Sequence, residues 1–136
     1  MTISNSSLEG NTGLVVKGGV VNIVDSQIRG IQNIHEPPED VMSGFATTGD
    51  GLYLEGSSNY TWSAVVNVSG DKTVVTSTAA DTVAIRLFVG ANASAVKQIN
   101  VMGGKFNTDV SEFLVNGATQ TKVDETEYVV TLPEEP

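Results

Sequence analysis

The only histidine of the chain, His35, stands in the stretch Ile34-His35-Glu36-Pro37-Pro38-Glu39-Asp40. An imidazole beside carboxylates is the residue set of a general base or a metal ligand. Two prolines stiffen the stretch, and a solvated loop is the simpler reading. Zinc would want further His or Cys ligands, and the chain has neither. Glu36, Glu39, Asp40 and Asp50 supply the carboxylates that glycoside hydrolysis uses in pairs. That reaction needs two of them at a fixed separation, one with a raised pKa. Nothing in their spacing fixes such a pair. We assign no catalytic residue, no metal ligand and no cofactor.

Binding chemistry is better represented. Tyr53, Tyr60 and Trp62 can stack sugar rings, with neighbouring Asn and Ser supplying hydrogen bonds. Tyr60-Thr61-Trp62 alternates, so Tyr60 and Trp62 share one strand face and Thr61 takes the other. The competing reading packs these rings in the core or under a neighbouring loop. Asn-x-Ser/Thr acceptors occur at Asn5, Asn59, Asn67 and Asn92. Asn and Ser are common at strand corners, and these carry no weight.

The elements that must position these residues are short strands. Val and Thr are abundant, Gly and Asn punctuate, and long helical runs are missing. Four segments are alike: TISNSSLEG at 2–10, NIVDSQIRG at 22–30, NVSGDKTV at 67–74 and NVMGGKFN at 100–107. Each sets an apolar residue in a strand, then a polar corner, then another apolar residue five on. The pairs are Ile3/Leu8, Ile23/Ile28, Val68/Thr73 and Val101/Phe106, with Val74 a substitute for Thr73. They recur after 20, 45 and 33 residues. A second strand type follows three of them, at 13–16, 51–54 and 83–87. Irregular offsets with matching corners suit stacked short strands with insertions at the turns. The Gly-Gly pairs at 18–19 and 103–104 are corners; neither has the spacing of a phosphate-binding loop. Near the end, Val110, Phe113 and Leu114 fall on one helical face, and Glu112 follows Asp109 by three as in a capping box. The expectation there is a short helix over 109–115, then a strand over 128–132.

VNVSGDKTVVTS, INVMGGKF and NTDVSEFLVNG resemble repeats of the form V-x-I-S-G-G-T-F and a tail of the form F-S-x-D-V-S-x-Y-L-A-x-G. Such repeats belong to the pectin-lyase-like right-handed parallel β-helix regions of large cell-surface proteins of gut bacteria. The likeness spans residues 1–30 and 51–132. It implies an all-β fold, a short right-handed parallel β-helix closed by a short C-terminal capping helix. One domain would cover 1–132, with a loop insertion at about 31–50 and a cap at about 107–132, and 133–136 would be a linker or tail. Polygalacturonase-like enzymes of this architecture set several Asp on adjacent coils beside a His motif. Pectate-lyase-like ones use calcium carboxylates with a basic residue. This chain has no Gly-His-Gly and no Asp-Asp pair, and Arg29 and Arg86 stand apart from any aligned acidic cluster. The resemblance therefore implies a non-catalytic structural or adhesive module, secreted or on the bacterial surface. A carbohydrate-binding module using Tyr53, Tyr60 and Trp62 is the first alternative, and a polysaccharide lyase or hydrolase the second.

Bulk composition narrows the partners. The 136 residues carry 16 Asp+Glu against 7 Lys+Arg, a net charge of -9. Phosphate backbones and anionic lipid are repelled, so no nucleic acid is expected. No apolar run reaches the roughly 18 residues of a membrane span, so no membrane insertion is expected. There is no cysteine and hence no disulfide framework. Met1 leads straight into a strand pattern without a signal peptide, which suggests a mature or excised piece of a longer protein. The expected partners are host or bacterial glycans or surface proteins. Weak end-to-end self-association is expected where the first strand edges lie open.

Overall fold

The computed structural model describes residues 1–31, 49–56, 62–89 and 96–132. Most of the 31–50 insertion, with His35, Glu36, Glu39 and Asp40, lies outside the described residues, as do Tyr60 and the tail 133–136. The described residues form thirteen strands in three sheets. The first sheet holds β1 (Thr2–Ser4), β4 (Gly19–Val24), β7 (Ala64–Ser69) and β10 (Lys97–Val101), all parallel. The third holds β3 (Leu14–Val16), β6 (Leu52–Gly56) and β9 (Ile85–Val89), also parallel. The second runs parallel from β2 (Ser7–Gly10) through β5 (Gln27–Gly30) and β8 (Val74–Ser77) to β11 (Gly104–Phe106). It then turns antiparallel into β13 (Glu127–Thr131) and β12 (Thr119–Asp124).

These findings correct the fold expected from the repeat. The strands are not shown as one right-handed parallel β-helix. They lie in three sheets, two parallel and one mixed, and none is closed on itself. A recurring strand and corner shows that the chain changes direction at matching places. It does not dictate that the sheets join into one closed winding. The mixed character comes from residues 119–131, whose hairpin pairs within itself before β13 returns onto β11.

The expected capping helix is also absent. Residues 111–113 form a single 3-10 turn, with Phe113 N–H donating to Val110 O at 3.0 Å and Leu114 N–H to Ser111 O at 3.4 Å. The competing partners are local. The Asp109 carboxylate accepts from Ser111 N–H at 2.7 Å, and the Gln120 side chain accepts from Val110 N–H at 2.7 Å. Such side-chain bonds offer the backbone an alternative to further helical turns. Leu114 then bridges to Val101 in extended conformation.

The core follows the strand period of two. Val21, Ile23, Val66, Val68, Ile99 and Val101 point inward from the first sheet, and Ile28, Val75 and Phe106 from the second. Leu52, Leu54 and Ile85 do so from the third. Full burial of one such side chain contributes about 1.5–3 kcal/mol. Ile28, Val75 and Phe106 share a register, so Val75 takes the inward place that the repeat gave to Thr73 or Val74. Gly70-Asp71-Lys72-Thr73 is two residues longer than the Asp25-Ser26 corner between β4 and β5. That corner and its neighbour place Asn5 and Asp25 at φ 49°, a left-handed conformation that Asn and Asp tolerate. Buried Ser26 binds the two corners together, its hydroxyl accepting from Ser6 N–H at 3.1 Å and donating to Val24 O at 3.0 Å.

Candidate functional site

The outer face of the third sheet collects charge. Leu52 and Leu54 face the core, so Tyr53 and Glu55 face the other way, yet all five residues of β6 are buried. Register places Val15, Tyr53 and Arg86 side by side in one row, and Glu55 beside Phe88 in the next. Lys17 follows β3 and sets its ammonium 3.5 Å from Glu55 Oε2. Burial pushes the Glu55 carboxyl above its ordinary value, and the charge and hydrogen bond of Lys17 offset this only in part.

Asp50, just before β6, is wholly buried and heavily engaged. Arg86 Nε donates to its Oδ2 at 2.6 Å, and Val83 N–H donates to its Oδ1 at 2.8 Å. This carboxylate thus ties the chain entering β6 to the chain entering β9. Its lone pairs are occupied by donors of the protein, which is the arrangement of a structural clasp and not of a base facing a substrate.

The corner between the third and first sheets is different. Trp62 precedes β7, and its indole Nε1 donates to Lys17 O at 2.9 Å. A Cβ on Gly18 would stand 2.2 Å from Trp62 Cδ1, so the ring lies over the glycine, and only glycine permits that approach. Lys97 Nζ donates to the Trp62 carbonyl, while its stem lies along Gly56, where a Cβ would be 3.0 Å from Lys97 Cγ. Burial of that ammonium lowers its pKa. Trp62 is thus held by its indole Nε1 and by its backbone carbonyl, yet it is 54 % exposed.

Beside it runs the outer face of the first sheet. Gly19 N–H bonds Ser63 O and Ala64 N–H bonds Val96 O, both at 2.9 Å, which continues the ladder one residue before the strands. Gly18, Ser63 and Val96 therefore face outward with Val20, Val65 and Gln98. Val20 and Val96 are 53 % and 57 % exposed. Next comes a ladder of amides in register. Gln98 Nε2 donates to Asn100 Oδ1 at 2.7 Å, Asn100 Nδ2 to Asn67 Oδ1 at 2.9 Å, and Asn67 Nδ2 to Asn22 Oδ1 at 3.0 Å.

The three aromatic candidates therefore part ways. Trp62 is exposed beside this face. Tyr53 is fully buried and presents no ring to a ligand in solution. Tyr60 lies outside the described residues. Asp50 and Arg86, which stand far apart in sequence, are brought together. Among the described residues no three His, Cys, Asp or Glu gather as a metal site. The amide ladder was visible in the sequence as the Asn that opens three of the recurring segments. The Lys17–Glu55 pair was visible where Gly-Leu-Val-Val-Lys at 13–17 aligns with Gly-Leu-Tyr-Leu-Glu at 51–55. No family model, curated protein or solved structure matches the chain.

Proposed function

We propose that the chain is a non-catalytic structural or adhesive module of a secreted or cell-surface bacterial protein. The observation that carries this reading is how its outward polar groups are used. Asn22, Asn67 and Asn100 bond one another across strands, Asp50 bonds Arg86, Lys17 faces Glu55, and Arg29 lies 3.4 Å from Glu9. These contacts link neighbouring strands and hold the sheets rigid. An enzyme of the lyase or hydrolase class would instead aim carboxylates and a base at one reacting atom. The resemblance to repeat regions of gut-bacterial surface proteins supports the same setting.

The test is incubation with pectate, polygalacturonate and neutral polysaccharides, with and without calcium. Unsaturated uronate absorbance and new reducing ends are followed. No product is expected on any substrate. Reproducible cleavage that disappears in Asp50→Asn or Arg86→Met proteins, with folding retained, would overturn the reading.

A further inference from the structure

We propose that the outer face of the first sheet, from Trp62 across Val20 and Val65 to the Asn22–Asn67–Asn100 ladder, binds the pyranose rings of a neutral polysaccharide. The inference deepens the adhesive reading and rests on it.

Three features converge on this face. The first is an aromatic plane that needs no ordering on binding. The Trp62 indole is seated on Gly18 and fixed by its bond to Lys17 O, so its orientation is set in advance. Rigid aromatic anchors bind at low entropic cost, and preorganisation is a main source of affinity. The C–H face of a pyranose ring is an apolar plane that suits such a surface. Val20 and Val96 extend the apolar area beside the ring.

The second feature is unspent hydrogen-bonding capacity on the same face, two outward rows along from that plane. A primary amide has two N–H donors and two acceptor lone pairs. Asn67 gives one N–H to Asn22 and receives one from Asn100, so one donor and one lone pair remain. Asn100 gives one N–H to Asn67 and receives one from Gln98. The ladder also aligns the amide dipoles, which strengthens each remaining donor. Sugar hydroxyls both donate and accept, and they match such groups in pairs. Strands about 4.8 Å apart repeat the amides from strand to strand across the sheet face, which suits an extended chain of similar units.

The third feature is charge. The ladder is neutral. The two ammonium groups nearest the indole are engaged, Lys17 with Glu55 and Lys97 with the Trp62 carbonyl. With a net charge of -9, the protein repels uronates and sulfated glycans. The occupant is therefore neutral.

Trp62 is the only tryptophan in the chain, so selectively excited tryptophan emission reports on this site alone. The whole chain is titrated with soluble xyloglucan, mixed-linkage β-glucan, galactomannan and α-glucan, and with polygalacturonate as the acidic arm. Affinity gel electrophoresis gives retardation in parallel. At least one neutral polysaccharide should shift the emission to the blue and retard the protein. Trp62→Ala should weaken retardation by about tenfold or more, as for an anchor residue, and Trp62→Phe should recover part of it. Asn67→Ser, which leaves the indole in place, should weaken binding several-fold with the far-ultraviolet spectrum unchanged. Binding to polygalacturonate alone, or no retardation on any neutral polysaccharide, overturns the proposal. So does retardation that Trp62→Ala and Asn67→Ser leave unaltered. Cleavage of a bound polysaccharide would defeat the non-catalytic reading while leaving the platform intact.

Discussion

Replacing Arg86 by Met should be among the most damaging single changes in the protein. Asp50 has no contact with solvent, whereas 22 % of the Arg86 side chain remains exposed. At 2.6 Å and an effective dielectric constant of about 20, the attraction is roughly 6 kcal/mol. Desolvation of the two ions cancels most of it, which is why buried pairs add little net stability. Breaking the pair is another matter. Without Arg86, the carboxylate stays buried and loses this counter-charge, while Val83 N–H still donates to it, and the expected cost is about 3–5 kcal/mol. The opposite deletion should be milder. In Asp50→Ala the guanidinium can turn to water, and the loss centres on the unsatisfied Val83 N–H, about 1–3 kcal/mol. The double variant should then cost little more than Asp50→Ala, giving a coupling close to the cost of Arg86→Met itself, about 3–4 kcal/mol. Urea unfolding followed by circular dichroism measures all four proteins. With slopes of about 1–3 kcal/mol/M, the Arg86→Met midpoint should fall by more than about 1 M. A cost below about 1 kcal/mol is the behaviour of a surface ion pair, and it would refute the claim that this one is buried and binding. Strict additivity in the double variant would refute it equally.

Glu55 should give the opposite pH signature to an ordinary paired carboxylate. Burial holds its pKa above the unfolded value, so the folded protein keeps this proton where the unfolded chain has lost it. Its contribution is greatest below the unfolded value and declines as pH rises through the folded one. Glu55→Gln should therefore flatten the stability change between pH 4 and pH 7 relative to the parent; an identical slope in both proteins would remove the effect. Truncation of Ile23 to Ala in β4 should cost about 2–5 kcal/mol in a urea melt, while Ile3→Ala in the edge strand β1 should cost less than half as much. Equal losses at the two sites would contradict the half-open environment of Ile3. Among the described residues, strands β1, β2 and β3 each pair on one side only, with Ile3, Leu8 and Leu14 partly covered. We expect weak association through these edges, rising with salt as the like charge is screened. Light scattering should detect it, and Ile3→Lys with Leu8→Lys should abolish it; a strict monomer at high concentration and salt speaks against this surface.

Much of the strand pairing was legible because it follows local pattern. Ile28 and Phe106 stand between polar neighbours, and Ile23 and Val101 each follow an Asn, so strand alternation marks these side chains as inward. The pairing partners were legible because like segments pair with like: Asn22 with Asn67 and Asn67 with Asn100. The way the sheets end was not. Whether 109–115 makes a helix depends on Gln120, which reaches Val110 N–H from β12, a strand with no counterpart among the repeats. The site was half visible for a related reason. Trp62 is an evident candidate by type, but its support comes from Lys17 and Gly18, 45 and 44 positions earlier. Tyr53 is equally aromatic, and its strand fixes only that it points opposite to Leu52 and Leu54. Burial on that outer side is a tertiary fact that strand alternation cannot express.

The outer faces of the first and third sheets show why similar strands serve different ends. Both lie outside the core and both carry polar side chains in register. On the third sheet Asp50 and Glu55 are buried, and each acidic group is set beside a basic one, Asp50 with Arg86 and Glu55 with Lys17. The Asp50 contacts engage both of its carboxylate oxygens, and that clasp becomes part of the scaffold. On the first sheet the polar groups are neutral amides and water has access. An Asn amide can bond its neighbours on adjacent strands and still keep a donor and an acceptor, which an engaged buried ion pair cannot do without strain. The same ladder can therefore stiffen the sheet and meet a ligand at once. Trp62 stands at the boundary of the two faces. Its indole is anchored by the carbonyl of Lys17, whose side chain belongs to the third sheet, while Gly18 seats it beside the first.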